Sequence, residues 1–246
     1  MFIGYPRSGH SIIGAMIDAH PNALIGMQTD VLKLVQSGFS RKQIFYLAYV
    51  KSKQFTKIHD NNWSGYSYKV PGSFQGRFTN LYVIGDKQGA KSSIRLGNNP
   101  GLIQSLQSKT GCPVKMLHIV RNPFDVISTM YLRNVSREIK FDRQLLEHKI
   151  KLFFRKADIN QKLIGQPELS IITIFHESFI DNPKKELSRI LVFLGLEVNN
   201  KYLDQCTSIV YKEPHISRSG LIWPEDLKKS VQDKLINYAF LRHYEF

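Results

Sequence analysis

The sequence predicts an α/β protein in three layers, α/β/α, around a central parallel sheet. Three observations lead there. Short apolar runs alternate with longer stretches of helical period. Several of those helical stretches carry start and stop residues of their own. No internal repeat and no Pro/Gly/Ser-rich linker divides the 246 residues, so a single domain over 1–246 is expected, long enough to bury a core without disulfide or metal staples.

The elements follow in order. Phe2-Ile3 reads as a first strand, and Gly9–Ala19 as a helix with Ile12, Ile13, Met16 and Ile17 at helical spacing. Leu24-Ile25 is a second strand. Ser40 caps a helix reaching about Lys53, and Leu81–Ile84 is a third strand. Asn99-Pro100 opens a helix that Gly111 closes. Val114–Val120 is the fourth strand, and Pro123 starts the helix after it. Asp142–Ile164 is a long amphipathic helix with Leu145, Leu146, Ile150, Phe153 and Phe154 inward, followed by a fifth strand, Ser170–Phe175. Asn182-Pro183 opens a helix ending before Gly195, and Pro224 opens one running to about Leu241. Ligands of such sheets gather at the carboxyl ends of the strands.

Hydrophobic residues at 42% and charged residues at 22% exclude a largely disordered chain. The net charge of +14 favours an anionic partner: nucleic acid, a phosphate-rich cofactor, a membrane surface or an acidic substrate. Two cysteines, Cys112 and Cys206, make neither a disulfide framework nor a tetrahedral zinc site, and are expected as free thiols. No run is apolar enough to span a bilayer, and the first residues lack the basic region and apolar core of a secretory leader. A cytoplasmic location is the expectation.

The first strand leads into Gly4-Tyr5-Pro6-Arg7-Ser8-Gly9-His10-Ser11, which has the Gly-x-x-x-x-Gly-x-Ser frame of a phosphate loop. Between strand and helix, successive backbone N–H groups and the helix N-terminus point at an oxyanion. A nucleoside-triphosphate loop carries a lysine before its last hydroxyl residue. His10 stands there instead, and the cation of the loop is Arg7, near its apex. That placement suits an anion bound end-on, with one bridging oxygen to neutralise. The plain alternative is a glycine-containing turn with no ligand.

The fourth strand runs into Arg121-Asn122-Pro123-Phe124-Asp125, with Ser128 and Thr129 further along the helix. Arg121 stands at a carboxyl strand end, where its guanidinium can fork onto a phosphate and a hydroxyl can add a donor. Asp125 falls in the first helical turn, where a carboxylate favours the dipole. The alternative for Arg121 is a surface arginine at a strand end.

Together the two motifs resemble the sulfotransferases that use 3′-phosphoadenosine 5′-phosphosulfate (PAPS). Tyr5–Ser11 looks like their 5′-phosphosulfate loop, usually Pro-Lys/Arg-Ser-Gly-Thr-Thr/Ser, with His10 in place of the usual threonine. Arg121-Asn122-Pro123-x-Asp125 looks like their 3′-phosphate motif. Its serine ordinarily falls eight residues after the arginine, which is Thr129 here, with Ser128 the alternative. The resemblance covers Phe2 to about Thr129 and, more weakly, the C-terminal helix region.

It implies a P-loop-like sulfotransferase fold and in-line transfer of a sulfonyl group from PAPS to an acceptor hydroxyl or amine, without a metal, leaving adenosine 3′,5′-bisphosphate. Arg7 and the loop N–H groups would stabilise the charge building on the leaving oxygen. Ser8, Gly9, His10 and Ser11 would hold phosphate or sulfonate oxygens. Arg121 and Thr129, or Ser128, would grip the 3′-phosphate, and Arg218 in the late basic loop His215–Gly220 would touch it.

For the general base, relatives imply a carboxylate or histidine near the second strand or downstream. Gln28, where bacterial relatives often have glutamate, cannot serve. Asp30 is one candidate. Asp86 beside Lys87, at the end of the third strand, is another. Either aspartate fits a helix cap or turn equally well. His10 and His59 are further candidates, whereas His118, alternating with apolar neighbours, reads as a core histidine. Trp63–Phe78, with Tyr66, Tyr68, Phe74, Lys69 and Arg77, reads as the acceptor-side wall or as a core-packing hairpin. It does not separate a small-molecule acceptor from a carbohydrate. Three rival readings stand beside this one: a P-loop kinase or NTPase, against which the missing loop lysine argues; a basic nucleic-acid-binding protein, for which no recognition motif is present; and a catalytically dead sulfotransferase relative, since Gln28 and His10 depart from the pattern.

Overall fold

Helices carry the chain from each strand of the parallel pairs to the next, as parallel pairing requires. The computed structural model describes residues 1–58, 62–63, 66–135 and 141–246. In chain order, β1 (Phe2–Gly4) leads to α1 (His10–Asp18), β2 (Ala23–Met27), α2 (Val31–Gln36) and α3 (Arg41–Ile58). A two-stranded antiparallel hairpin, β3 (Asn62–Trp63) and β4 (Tyr66–Ser67), precedes β5 (Val83–Lys87), α4 (Ala90–Asn98) and α5 (Leu102–Thr110). Then come β6 (Lys115–Val120), α6 (Pro123–Leu132), α7 (Arg143–Ile164), β7 (Ser170–Phe175) and α8 (His176–Asp181). The chain ends with α9 (Pro183–Leu194), α10 (Asn200–Thr207) and α11 (Glu225–Leu235).

β1, β6 and β7 form a parallel sheet in that order, and β2 pairs in parallel with β5. The register brings the carboxyl ends level: Gly4 lies beside Ile119, Val120 beside Phe175, and Met27 beside Lys87. The segments that leave β1, β6 and β7 therefore start side by side.

Alternate strand residues face opposite layers. Phe2, Leu117 and Ile119 pack with Ile13, Met16 and Ile17 of α1 and with Leu187 and Ile190 of α9. Ile3 and Met116 pack on the other side with α2 and α5, and Val120 with Phe153 and Phe154 of α7. Both faces are thus covered. Buried Asp18 stitches one flank together, accepting from Ile25 N (2.6 Å), Ser52 Oγ (2.8 Å) and Gly76 N (3.0 Å). Burial nonetheless pushes its carboxyl up to about 6.

The Asn122, Asp142 and Asn182 side chains cap α6, α7 and α9, each accepting a first-turn backbone N–H. Four expectations shift. The strand placed at Leu81–Ile84 runs from Val83 to Lys87, because Leu81 and Tyr82 are exposed. Asn99-Pro100 forms an irregular turn, and regular helix begins at Leu102. The helix from Ser40 continues to Ile58. The last helix stops at Leu235, and tight turns carry the chain from there to Tyr244. Both cysteines are free. Among the described residues no helix is long and apolar enough to cross a membrane.

Candidate active site

The loop after β1 turns on backbone that few residues tolerate. Gly4 has φ 128° and Gly9 φ 87°, and a Cβ at either would collide, with Ile119 O or with the His176 ring. Arg7 adopts φ 65° without being glycine, a strained placement at the apex. Gly9 caps α1 with no side-chain acceptor, and no acidic residue lies in the first turn. The orphan N–H groups of the helix start are thus left for an anion. Two side chains brace the loop from below: Ser93 Oγ accepts from Gly4 N (2.9 Å), and Arg121 Nη1 donates to Arg7 O (2.9 Å).

Cations converge on this mouth. Burial lowers the pKa of Arg7, and the nearby charges of Arg133 and Arg121 lower it further. Lys87, at the end of β5, reaches across to donate to Ser11 Oγ at 3.1 Å. Burial brings its ammonium down to about 8; Asp86 opposes that shift and Arg7 adds to it. Among the described residues, none of Arg7, Lys87, Arg121 and Arg133 forms an ion pair. Ser8 Oγ and His176 Nδ1 are buried beside the loop without a hydrogen-bond partner. Positive charge and unmet hydrogen-bonding capacity thus meet in one place, the physical signature of an anion site.

The 121–129 segment is more enclosed than its sequence suggests. Arg121 is only 7% exposed. Besides Arg7 O, its guanidinium donates to His215 O and to Ser217 Oγ (3.3 Å), leaving Nε alone without a partner. In this conformation it ties the phosphate loop to the 215–217 segment. Arg218 pairs with Asp125 (2.6 Å) and also donates its backbone N–H there. Ser128 Oγ is fully buried and accepts from Trp223 Nε1 (2.9 Å). Thr129, half-buried, donates its hydroxyl to Asp125 O (2.8 Å), which leaves its lone pairs. Glu177 holds the motif from behind, accepting from Asn122 N and from the Tyr244 hydroxyl.

His10 is turned into the core. Its Nε2 lies 3.1 Å from Ile3 O, its ring packs near Phe2, and burial lowers it to about 4. What it offers to the loop is its backbone N–H. The two carboxylates expected as bases have structural partners. Asp30 takes two bonds from Arg95, each 2.7 Å. Burial pulls its pKa up, but the Arg95 hydrogen bond and charge outweigh that and hold it below the usual range. Asp86 accepts from Thr29 N and Val31 N at the start of α2, and burial raises it to about 6. His118 packs between Tyr5 and Phe240, as a core histidine does. His59 lies outside the described residues.

The Trp63–Phe78 segment divides. Tyr68 lies near Ser11 and Arg7, and Tyr66 packs edge-on against Tyr211 at 5.5 Å. These rings stand over the loop. Gln75 and Gly76 turn inward to Ala15 O and Asp18, and Phe78 points away toward Tyr49. The Trp63 side chain lies outside what is described. Two site residues had no motif to announce them. His176, the first residue past β7, was findable by the strand-end rule that singled out Arg121. Arg133, one turn beyond Thr129, sat at helical spacing from a flagged residue. Among the described residues no group of three or more His, Cys, Asp or Glu side chains is placed to hold a metal ion.

Comparison with known proteins bears on the family and the fold. The family model described as "Sulfotransferase domain" matches residues 1–229. Among solved structures, a sulfotransferase from Alicyclobacillus acidocaldarius aligns with a TM-score of 0.51 at 15% identity, covering 100% of this chain and 96% of that one. The sulfotransferase domain from the curacin biosynthetic pathway gives 0.51 at 15%, covering 95% and 89%. A sulfotransferase from Mycobacterium avium gives 0.51 at 9%, covering 96% and 75%. The search of curated proteins finds no match.

Proposed function

This chain belongs to the sulfotransferase domain family, and from that premise we propose that it moves a sulfonyl group from PAPS to the hydroxyl or amine of a small-molecule or carbohydrate acceptor. The observation that carries the proposal is the cluster of Arg7, Lys87, Arg121 and Arg133 around an uncapped helix start, with no ion-paired carboxylate among the described residues. A doubly phosphorylated adenosine supplies the negative charge such a cluster lacks. The buried, unpartnered Ser8 Oγ and His176 Nδ1 favour a ligand rich in hydrogen-bonding groups.

In this reading PAPS supplies the activated sulfonyl group, and the protein aligns it and stabilises charge. The N–H groups from Ser8 to Ser11 hold the 5′ end. Arg7 answers the charge that grows on the bridging oxygen, an interaction strongest in the transition state. Lys87, placed by Ser11, donates to a sulfonyl oxygen. Thr129, in the last turn of α6, and Arg133, just past the end of that helix, take the 3′-phosphate, with Arg121 fixing the loop behind them and Arg218 joining if it leaves Asp125. Tyr66, Tyr68 and Tyr211 offer ring faces to the acceptor. Asp30 and Asp86 hold the turn after β2 and so keep Lys87 in place.

Transfer of labelled sulfonyl from PAPS to pools of phenols, amines and sugars tests the proposal, and PAPS that binds without transfer to any pool would contradict it. The pH profile adds a sign. Lys87 is cationic below about 8 in the free protein, so kcat/KM should fall as pH rises through that value. Lys87→Met should lower kcat/KM by roughly tenfold or more and flatten the limb. A falling limb kept by the variant would exclude Lys87 as its source.

A further inference from the structure

We infer that the outer face formed by α3 and residues 77–82 docks on an anionic phospholipid bilayer. The inference does not depend on the sulfotransfer reading. Ile44, Ala48, Ser52 and Phe55 of α3 are buried. The opposite stripe, at three- and four-residue spacing, carries Lys42, Tyr46, Tyr49, Lys53 and Lys57. Tyr46 is 65% exposed, and the Lys53 ammonium donates to the Tyr49 hydroxyl at 3.1 Å. From Val31 to Gly85 the sequence holds a single acidic residue, Asp60.

Beside the stripe, Phe78 (41%), Leu81 (37%) and Tyr82 (72%) stand exposed. Their segment is pinned by Thr79 N to Pro21 O (2.8 Å), Tyr82 N to Asn22 O (2.9 Å) and Asn22 Nδ2 to Asn80 O (2.9 Å). The apolar side chains are thus held outward by a fixed backbone. Between helix and segment lies a cavity of about 350 Å³, lined by Leu24, Phe45, Tyr49, Phe78, Leu81 and Ile84, with Arg77 among its lining residues.

Charge complementarity selects the occupant. A basic amphipathic helix with interleaved aromatics, continuous with exposed apolar side chains, matches a bilayer interface: anionic headgroups for the lysines, the headgroup–acyl boundary for the rings. The stripe is extended, since 18 helical residues span about 27 Å. On the buried side of the same helix, Phe55 lies 6.1 Å from Tyr68 beside the candidate site.

Vesicle flotation of the full chain tests this, with phosphatidylcholine alone against phosphatidylcholine containing phosphatidylserine. The chain should float only with the anionic vesicles. Lys42→Glu/Lys53→Glu/Lys57→Glu should weaken binding by about tenfold or more, and Tyr46→Ser/Tyr82→Ser should weaken it at unchanged charge. The reference variant is Lys151→Glu/Arg155→Glu/Lys162→Glu, an equal charge reversal on exposed positions of α7; it should retain most binding. Circular dichroism checks that each variant is folded. Absence of flotation, or equal loss in both triple variants, overturns the proposal. So does a dimer in sedimentation velocity that Tyr46→Ser/Tyr82→Ser disperses, because the face then belongs to a second copy.

Discussion

Arg7→Ala is expected to lower sulfonyl transfer by roughly 10²–10³-fold, the usual cost of removing a preorganised donor to developing charge. The fold should survive. Arg7 is half-buried, its guanidinium has no ion-pair partner among the described residues, and the contact that anchors it runs through its backbone oxygen to Arg121. Alanine meets the same penalty at φ 65° that arginine already carries, so no new strain enters. The loss should fall mainly on kcat, because the bridging oxygen gains its charge only as the bond breaks. Arg7→Lys should recover part of the rate, keeping the charge without the guanidinium fork. Turnover unchanged in Arg7→Ala, with melting also unchanged, would remove Arg7 from the chemistry.

Arg121→Ala should behave differently, costing stability as well as binding. Its guanidinium satisfies Arg7 O, His215 O and Ser217 Oγ in an enclosed setting. Stripping the donor from a buried acceptor costs about 1–3 kcal/mol; the Ser217 Oγ bond is buried, and the two carbonyl bonds are part-buried and cost less. A total of roughly 3 kcal/mol would lower the melting temperature by about 6–12 °C in a domain of this size. Affinity for adenosine 3′,5′-bisphosphate should fall by roughly tenfold or more, since loop and 215–217 segment lose their common anchor. Lysine should rescue little, because one ammonium cannot span three acceptors in a plane. Thermal melts and titration together separate this role from a direct phosphate contact, which would lower affinity and leave melting unmoved.

The parallel sheet was legible because its strands are short apolar runs broken by Gly, Pro and Asn, and the phosphate loop because its glycines are forced by backbone angle and by close approach to Ile119 and His176. The caps at Asn122, Asp142 and Asn182 are local chemistry and could be read locally. α2, α4 and α10 were not. They are short, and α4 and α10 are mostly polar, so tertiary contacts rather than periodicity hold them. The site was harder still. Nothing local says that Asp30 is engaged by Arg95, 65 residues away, or that Trp223 takes the Ser128 hydroxyl. His10 occupies a loop position yet faces Ile3 O, since the start of α1 turns its side chain toward the core. A motif fixes which backbone bends. It does not fix which side chains already have partners.

Calorimetric titration with adenosine 3′,5′-bisphosphate, run beside adenosine 5′-phosphate and ATP with magnesium, tests most directly whether Arg7 and the 121–133 segment grip opposite ends of one nucleotide. Binding at one site per chain without magnesium, weakened at least tenfold when the 3′-phosphate is missing and again in Arg121→Ala, is the predicted result. Equal affinity for the two adenosine phosphates, or a preference for ATP with magnesium, would contradict it.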